Sequence, residues 1–291
     1  MLSSKSHTAE SDDTEYADHN EMLPGYQRFL FQHQDIKHFV YHRGDPSFPP
    51  LLLMSELAGF APGFLMFADR LVEHGYQVYL PWMYGPFGQR APLRNAMRLC
   101  ISREFAYLKA GVSAPITTWL RALSAHISYC NQGRSIGAIG MCLTGAFVIP
   151  LIIDPHVTAA VAAQPSVPMS HIYRITGLRV GALNALNISD IDIAAARIRL
   201  NAGDAHLFAC RFHADRICPA EKLQRLQQEF PVNLETHEYA DEQWRNALGK
   251  RPHATFTKEY RVAGEDASVD HPSRIAFADL LAFLELRLKR D

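Results

Sequence analysis

The hydrophobic positions fall into two alternating patterns. Residues 28–42 (RFLFQHQDIKHFVYH) hold two short alternating runs separated by Gln34-Asp35, which predicts an antiparallel hairpin at a sheet edge. Residues 49–56 (PPLLLMSE) form a continuous apolar run of strand length that ends at Glu56, and residues 62–74 then have helical character. The unit recurs with a strand at 76–82, an irregular stretch rich in Gly and Pro, and a helix opened by Pro115. That helix places Ile116, Trp119, Leu120, Leu123 and Ile127 on one buried face. Further strands are expected at 135–141 (SIGAIGM), 158–164, 206–212 (HLFACRF) and 232–239. Helices are expected directly after Met141, from Pro219, and over about 273–288. Residues 166–190 are less regular and suit a lid or connection. Strands alternating with helices imply an α/β fold with a mostly parallel sheet covered on both faces.

Composition narrows the class. The 291 residues are 48% hydrophobic and 20% charged, enough to bury a large core. The formal net charge is -1 at pH 7 and no Lys/Arg cluster appears, so there is no electrostatic footprint for nucleic acid or an anionic membrane. Residues 1–24 read as an acidic disordered tail without a secretory h-region, and 25–291 as one domain. No apolar run reaches membrane-spanning length. Five irregularly spaced cysteines fit neither a disulfide framework nor a zinc site, so a reducing cytoplasmic setting is expected, without cofactor or metal. Cys100, Cys130 and Cys210 are expected to be packing residues.

In such a sheet, chemistry sits beyond the carboxyl ends of the strands. At the end of SIGAIGM the chain reads Gly140-Met141-Cys142-Leu143-Thr144-Gly145 and enters a helix. This is the strand, sharp turn and helix setting of a nucleophile elbow, with cysteine at the nucleophile position and small residues where crowding demands them. An acid and a histidine should follow in that chain order. Asp215 comes after the strand 206–212, and His253 after the strand 232–239. His271 is the competing histidine, at a position suited to capping the last helix.

These residues resemble the dienelactone hydrolase family of α/β-hydrolases, from about residue 45 to 288. Met54-Ser55-Glu56-Leu57 is similar to the family's strand ending in Gln-Glu and an apolar residue. Gly140 to Gly145 resembles its G-x-C-x-G-G elbow, with Thr144 in place of a glycine. Asp215 to Pro219 is similar to Gly-x-x-Asp-x-x-x-Pro, and His253-Ala-Thr-Phe256 to Gly-His-Ser-Phe, which favours His253 over His271. The departures are Pro252 for the glycine before the histidine, Trp82 for an aspartate, and Thr257 with Lys258 where an arginine would hold a substrate carboxylate. Arg103 lies in the region of the family's other arginine, and Arg98 and Arg274 are further candidates to face an anionic group.

The resemblance implies hydrolysis of an ester or lactone through a Cys142-His253-Asp215 triad, with the backbone N–H groups of Leu57 and Leu143 as oxyanion hole. It also implies that Glu56 keeps the resting thiol protonated. Trp82 and Tyr84 could wall the pocket around a small-molecule substrate. The alternative is a non-catalytic protein of the same fold that binds a ligand or senses redox state through Cys142.

Overall fold

The computed structural model describes residues 23–84, 114–166, 184–186, 188–264 and 267–288. The expectations for the tail therefore fall almost wholly outside the described residues, as do those for Arg98, Cys100, Arg103 and most of 166–190.

Strands β1 (Gln27–His33) and β2 (Ile36–Arg43) form the expected hairpin, turning at Gln34 with φ 53°. The remaining strands are β3 (Pro50–Met54), β4 (Gln77–Pro81), β5 (Ile136–Met141), β6 (Val157–Ala163), β7 (His206–Phe212) and β8 (Leu234–Tyr239). All eight make one sheet in the order β1-β2-β4-β3-β5-β6-β7-β8. Pairing is antiparallel from β1 through β4 and parallel from there to β8. The sheet belongs to the α/β-hydrolase class.

The helices in chain order are α1 (Pro62–Glu73), α2 (Pro115–Cys130), α3 (Val148–Leu151), α4 (Asp190–Ala202), α5 (Ala220–Glu229), α6 (Lys258–Ala263) and α7 (Pro272–Leu288). Proline opens α1 and α2 at the first helical turn, where its missing N–H is not needed. Alternation along each strand sorts the helices into two layers. Leu51 and Leu53 of β3 join the apolar cluster of α1, α6 and α7, whereas Leu52 and Met54 join that of α2, α3, α4 and α5. Both faces of the central strands are thus buried, which explains why their sequences are continuously apolar rather than alternating.

Three details differ from the sequence expectations. The helix expected after Met141 is a 3-10 turn over Cys142–Ala146 and then the single short helix α3. Pro150 has no N–H to reach the Ala146 carbonyl, so a continuous α-helix cannot form through this stretch. Helix α4 has no counterpart among the expected elements. Its signals were local: the Ser189 hydroxyl accepts from the Asp192 N–H at 3.1 Å, and Gly203 ends the helix at φ 77°. Finally, Cys130 is exposed, not a packing residue, because the last turn of α2 points it away from the sheet.

Two strand glycines let other elements approach β5. A Cβ at Gly137 would lie 2.5 Å from Leu51 Cδ2 and 2.9 Å from Leu288 Cδ1, whereas one at Gly140 would lie 2.2 Å from the Thr144 carbonyl oxygen. Side-chain ends can rotate aside but a backbone carbonyl cannot. Gly140→Ala is therefore expected to cost at least the upper part of the about 1–3 kcal/mol typical of overpacking, and Gly137→Ala less. Urea unfolding midpoints of the two variants check that order.

Candidate active site

The elbow follows β5 directly. Cys142 takes φ 55°, in the left-handed region that residues with a Cβ avoid. The turn is held from three sides. Gly140 leaves room for the Thr144 carbonyl, Gly145 lets Pro165 approach, and the Thr144 hydroxyl accepts from the Met141 N–H at 2.9 Å. That same hydroxyl lies within reach of the carbonyls of Met141, Met54 and Ser55, at 3.0, 3.3 and 3.2 Å. Threonine in place of the family's glycine thus ties the elbow to the end of β3, just before Glu56. The thiol is nearly buried, and its Sγ is 3.2 Å from Ser166 Oγ. Ser166 N–H also donates to the Cys142 carbonyl at 3.0 Å.

Asp215 sits in the loop after β7 with a fully buried side chain. Its Oδ1 accepts from the backbone N–H groups of Ile217 and Cys218, at 2.7 and 3.2 Å. Its Oδ2 faces His253 Nδ1 at 2.7 Å. Arg211 fixes the loop from beneath, donating to the carbonyls of Cys218 at 2.8 Å and Asp215 at 3.0 Å while pairing with Glu238. His253 Nε2, on the opposite edge of the ring, is buried with no hydrogen-bond partner among the described residues, and Cys142 lies near enough to act on the ring. Burial disfavours the imidazolium, but the charges of Asp215 and of a Cys142 thiolate outweigh it and hold the His253 pKa well above the ordinary histidine value. The side chains of Cys142, His253 and Asp215 are thus gathered at one end of the sheet.

His271 stands apart from this group. Its Nδ1 accepts from the Ser273 N–H at 3.2 Å at the start of α7, the capping position expected for it, and its ring meets Trp244 edge-on. Burial lowers its pKa.

Glu56 is buried beyond β3 and its Oε1 accepts from the Thr257 hydroxyl at 2.7 Å. Tyr84 joins the same end of the sheet: its hydroxyl donates to the Ser55 carbonyl at 2.7 Å. Burial, and after it the charges of Cys142 and Glu56, push its pKa up. Leu57 follows Glu56 and packs against the α2 side of the core, and Leu143 follows Cys142 in the 3-10 turn. Trp82 packs toward the α1 and α7 side, its N–H donating to the Phe39 carbonyl. Cys210 and Cys218 are buried thiols whose pKa values burial raises.

Two contacts had no sequence signal pointing to them. Ser166 lies in a stretch without motif, at the end of β6 beside the elbow. Thr257 was noted only as a missing arginine, yet it reaches Glu56 from 201 positions along the chain. Among the described residues no group of His, Cys, Asp and Glu is arranged to hold a metal. No described helix is long and apolar enough to cross a membrane.

The balance at His253 is testable. Asp215→Asn keeps the oxygen that accepts from Ile217 and Cys218 but removes the charge, leaving burial to act. The His253 pKa is expected to fall in that variant, as read by NMR titration of the ring; an unchanged value would contradict the assignment of the raised pKa to Asp215. The sign for stability follows: the contribution is fully present below the ordinary histidine pKa and is lost as pH rises through the raised folded value.

Comparison with known proteins identifies the family and the fold. The profile of the dienelactone hydrolase family matches residues 36–241, a span that includes Glu56, Cys142 and Asp215 and stops before His253. Among solved structures, a candidate dienelactone hydrolase of Klebsiella pneumoniae superposes with a TM-score of 0.57 at 15% identity, over 89% of this chain and 97% of that one. The dienelactone hydrolase of Anabaena variabilis gives 0.54 at 12% identity, over 91% and 99%. A dienelactone hydrolase-like promiscuous phosphotriesterase from metagenomic libraries gives 0.55 at 14%, over 88% and 97%. A sequence search of curated proteins gives no match. At these identities the structures establish the α/β-hydrolase fold, and the profile establishes kinship: the chain belongs to the dienelactone hydrolase family and is a hydrolase.

Proposed function

We propose that the protein hydrolyses a carboxylic ester or lactone through Cys142. The observation that carries this reading is the Asp215–His253 pair at 2.7 Å, its carboxylate fully buried, near a thiol on a left-handed turn.

Cys142 Sγ, as thiolate, attacks the carbonyl carbon, and the C–S bond forms as the carbonyl oxygen takes up negative charge. The N–H groups of Leu57 and Leu143 stabilise that oxyanion. The C–O bond to the alcohol then breaks, and the departing oxygen takes the proton from His253 Nε2. Water enters next, gives a proton back to His253 and attacks the thioester, releasing the carboxylic acid and restoring the thiolate. Asp215 holds the ring with Nδ1 protonated and stabilises the imidazolium throughout. The raised His253 pKa suits this scheme, because a protonated ring is the acid that the leaving alcohol needs.

Glu56 would hold the resting thiol protonated; when substrate enters, the thiol proton would pass to the Glu56 carboxylate, leaving the thiolate that attacks, and would return to sulfur once the carboxylic acid has left. The Thr257 hydroxyl fixes one oxygen of that carboxylate. Tyr84 and Trp82 would wall the substrate site, and Arg103 would meet an anionic group on the substrate. The reducing cytosol is the proposed setting, in keeping with the four unbridged thiols among the described residues.

A panel of activated p-nitrophenyl esters, lactones and thioesters tests the scheme. Turnover is expected to fall by about a thousandfold or more in Cys142→Ala and in His253→Ala and to survive in His271→Ala. Turnover lost in His271→Ala but kept in His253→Ala would reverse the histidine assignment. Turnover kept in Cys142→Ala would remove the cysteine mechanism.

A further inference from the structure

Strands β5 and β6 leave the sheet side by side. They pair in parallel with Met141 opposite Ala163, and the next residue of each is a left-handed non-glycine, Cys142 at φ 55° and Gln164 at φ 36°. Such residues persist only where their surroundings impose them, and they cluster where a site is being shaped. The Gln164 N–H donates to the Cys210 carbonyl at 2.6 Å, and a Cβ at Gly145 would lie 3.0 Å from Pro165 Cα, so the turn after β6 presses against the elbow. That turn sets the position of Ser166. Ser166 is 1% exposed, its N–H donates to the Cys142 carbonyl at 3.0 Å, and its Oγ is 3.2 Å from Cys142 Sγ. One residue thus holds both the backbone and the reacting atom of Cys142.

A hydroxyl beside sulfur acts unequally on its two states. A thiol is a weak donor and a weak acceptor, whereas a thiolate takes a charge-assisted hydrogen bond roughly twice as strong as a neutral one. Cys142 is nearly buried, and burial withdraws the water that would solvate a thiolate, so a fixed donor counts for more here than at the surface. Among the described residues, the titratable groups around this sulfur come from four loops. His253 follows β8, Asp215 and Cys218 follow β7, Tyr84 follows β4 and Glu56 follows β3. Ser166 differs from these in staying neutral as they titrate.

We propose that Ser166 is a further catalytic residue, whose hydroxyl donates to the Cys142 sulfur and stabilises the thiolate that attacks the ester and is later expelled. The role rests on the hydrolytic reading of Cys142. Once the proton has left sulfur, the Ser166 O–H directs its hydrogen to the charge. As the C–S bond forms, that charge passes to the carbonyl oxygen and the hydrogen bond weakens. It strengthens again when the attack of water breaks the C–S bond and the electron pair returns to sulfur. The interaction is therefore stronger in the charged states than in the thioester between them, which favours expulsion of the sulfur.

The pH profile of alkylation by iodoacetamide, read at the Cys142 peptide by mass spectrometry, tests this on the whole protein without any ester. Ser166→Ala removes one atom and keeps the N–H that binds the Cys142 carbonyl, and the titratable groups around the sulfur are the same in both proteins. The midpoint of the profile is expected to rise in Ser166→Ala by about one to two pH units, the size of one hydrogen bond to a charged group. Ser166→Thr, which keeps a hydroxyl, should bring the midpoint back toward that of the wild type. A midpoint unchanged or lowered in Ser166→Ala, or raised as far in Ser166→Thr as in Ser166→Ala, would overturn the proposal. Ester turnover separates this from the hydrolytic reading. Turnover that depends on Cys142, with an unmoved midpoint, removes the role of Ser166 alone. A raised midpoint in Ser166→Ala, with turnover kept in Cys142→Ala, leaves Ser166 as a donor to the thiolate and removes the hydrolytic role of both residues.

Discussion

Cys142 occupies a backbone conformation, φ 55°, that residues with a Cβ adopt only when their surroundings impose it. Such a residue costs on the order of 1–3 kcal/mol, and the neighbouring structure must supply the difference. Here the supply is visible atom by atom. Gly140 makes way for the Thr144 carbonyl, the Thr144 hydroxyl joins the elbow to the ends of β5 and β3, and Ser166 grips both the carbonyl and the thiol of Cys142. The result is a thiol held at the carboxyl edge of the sheet, facing the loops after β7 and β8.

Those loops bring the electrostatics. A buried carboxylate with two backbone N–H donors on one oxygen and an imidazole on the other is fully satisfied, which is what makes a charge tolerable there. Arg211 beneath the loop keeps that geometry by binding its carbonyls. The histidine feels burial in one direction and charge in the other, and charge prevails. In the proposed hydrolysis the elbow would present the Cys142 thiol to that ring, and the left-handed turn and the raised pKa would act together.

Much of this was legible in the sequence because periodicity encodes it. The apolar runs gave all eight strands within a residue or two, and chain order placed Cys142, Asp215 and His253 at three strand ends. What escaped was of two kinds. Helix α4 carries few large apolar residues on its buried face, only Ile193 and Leu200 beside Ala196, so its periodic signal is faint and its caps had to be noticed instead. The Thr257–Glu56 and Ser166–Cys142 contacts depend on tertiary approach of hydroxyls that carry no pattern of their own.

The hydrolytic account stands on a covalent bond to one sulfur. Rapid quenching of the protein with p-nitrophenyl acetate, followed by peptide mapping in a mass spectrometer, reads that bond directly. The account predicts an acetyl group on the peptide that carries Cys142, as a thioester labile to hydroxylamine, and none on that peptide in Cys142→Ala. Turnover with the acetyl group on Ser166, or with Cys142 never acylated, would contradict it.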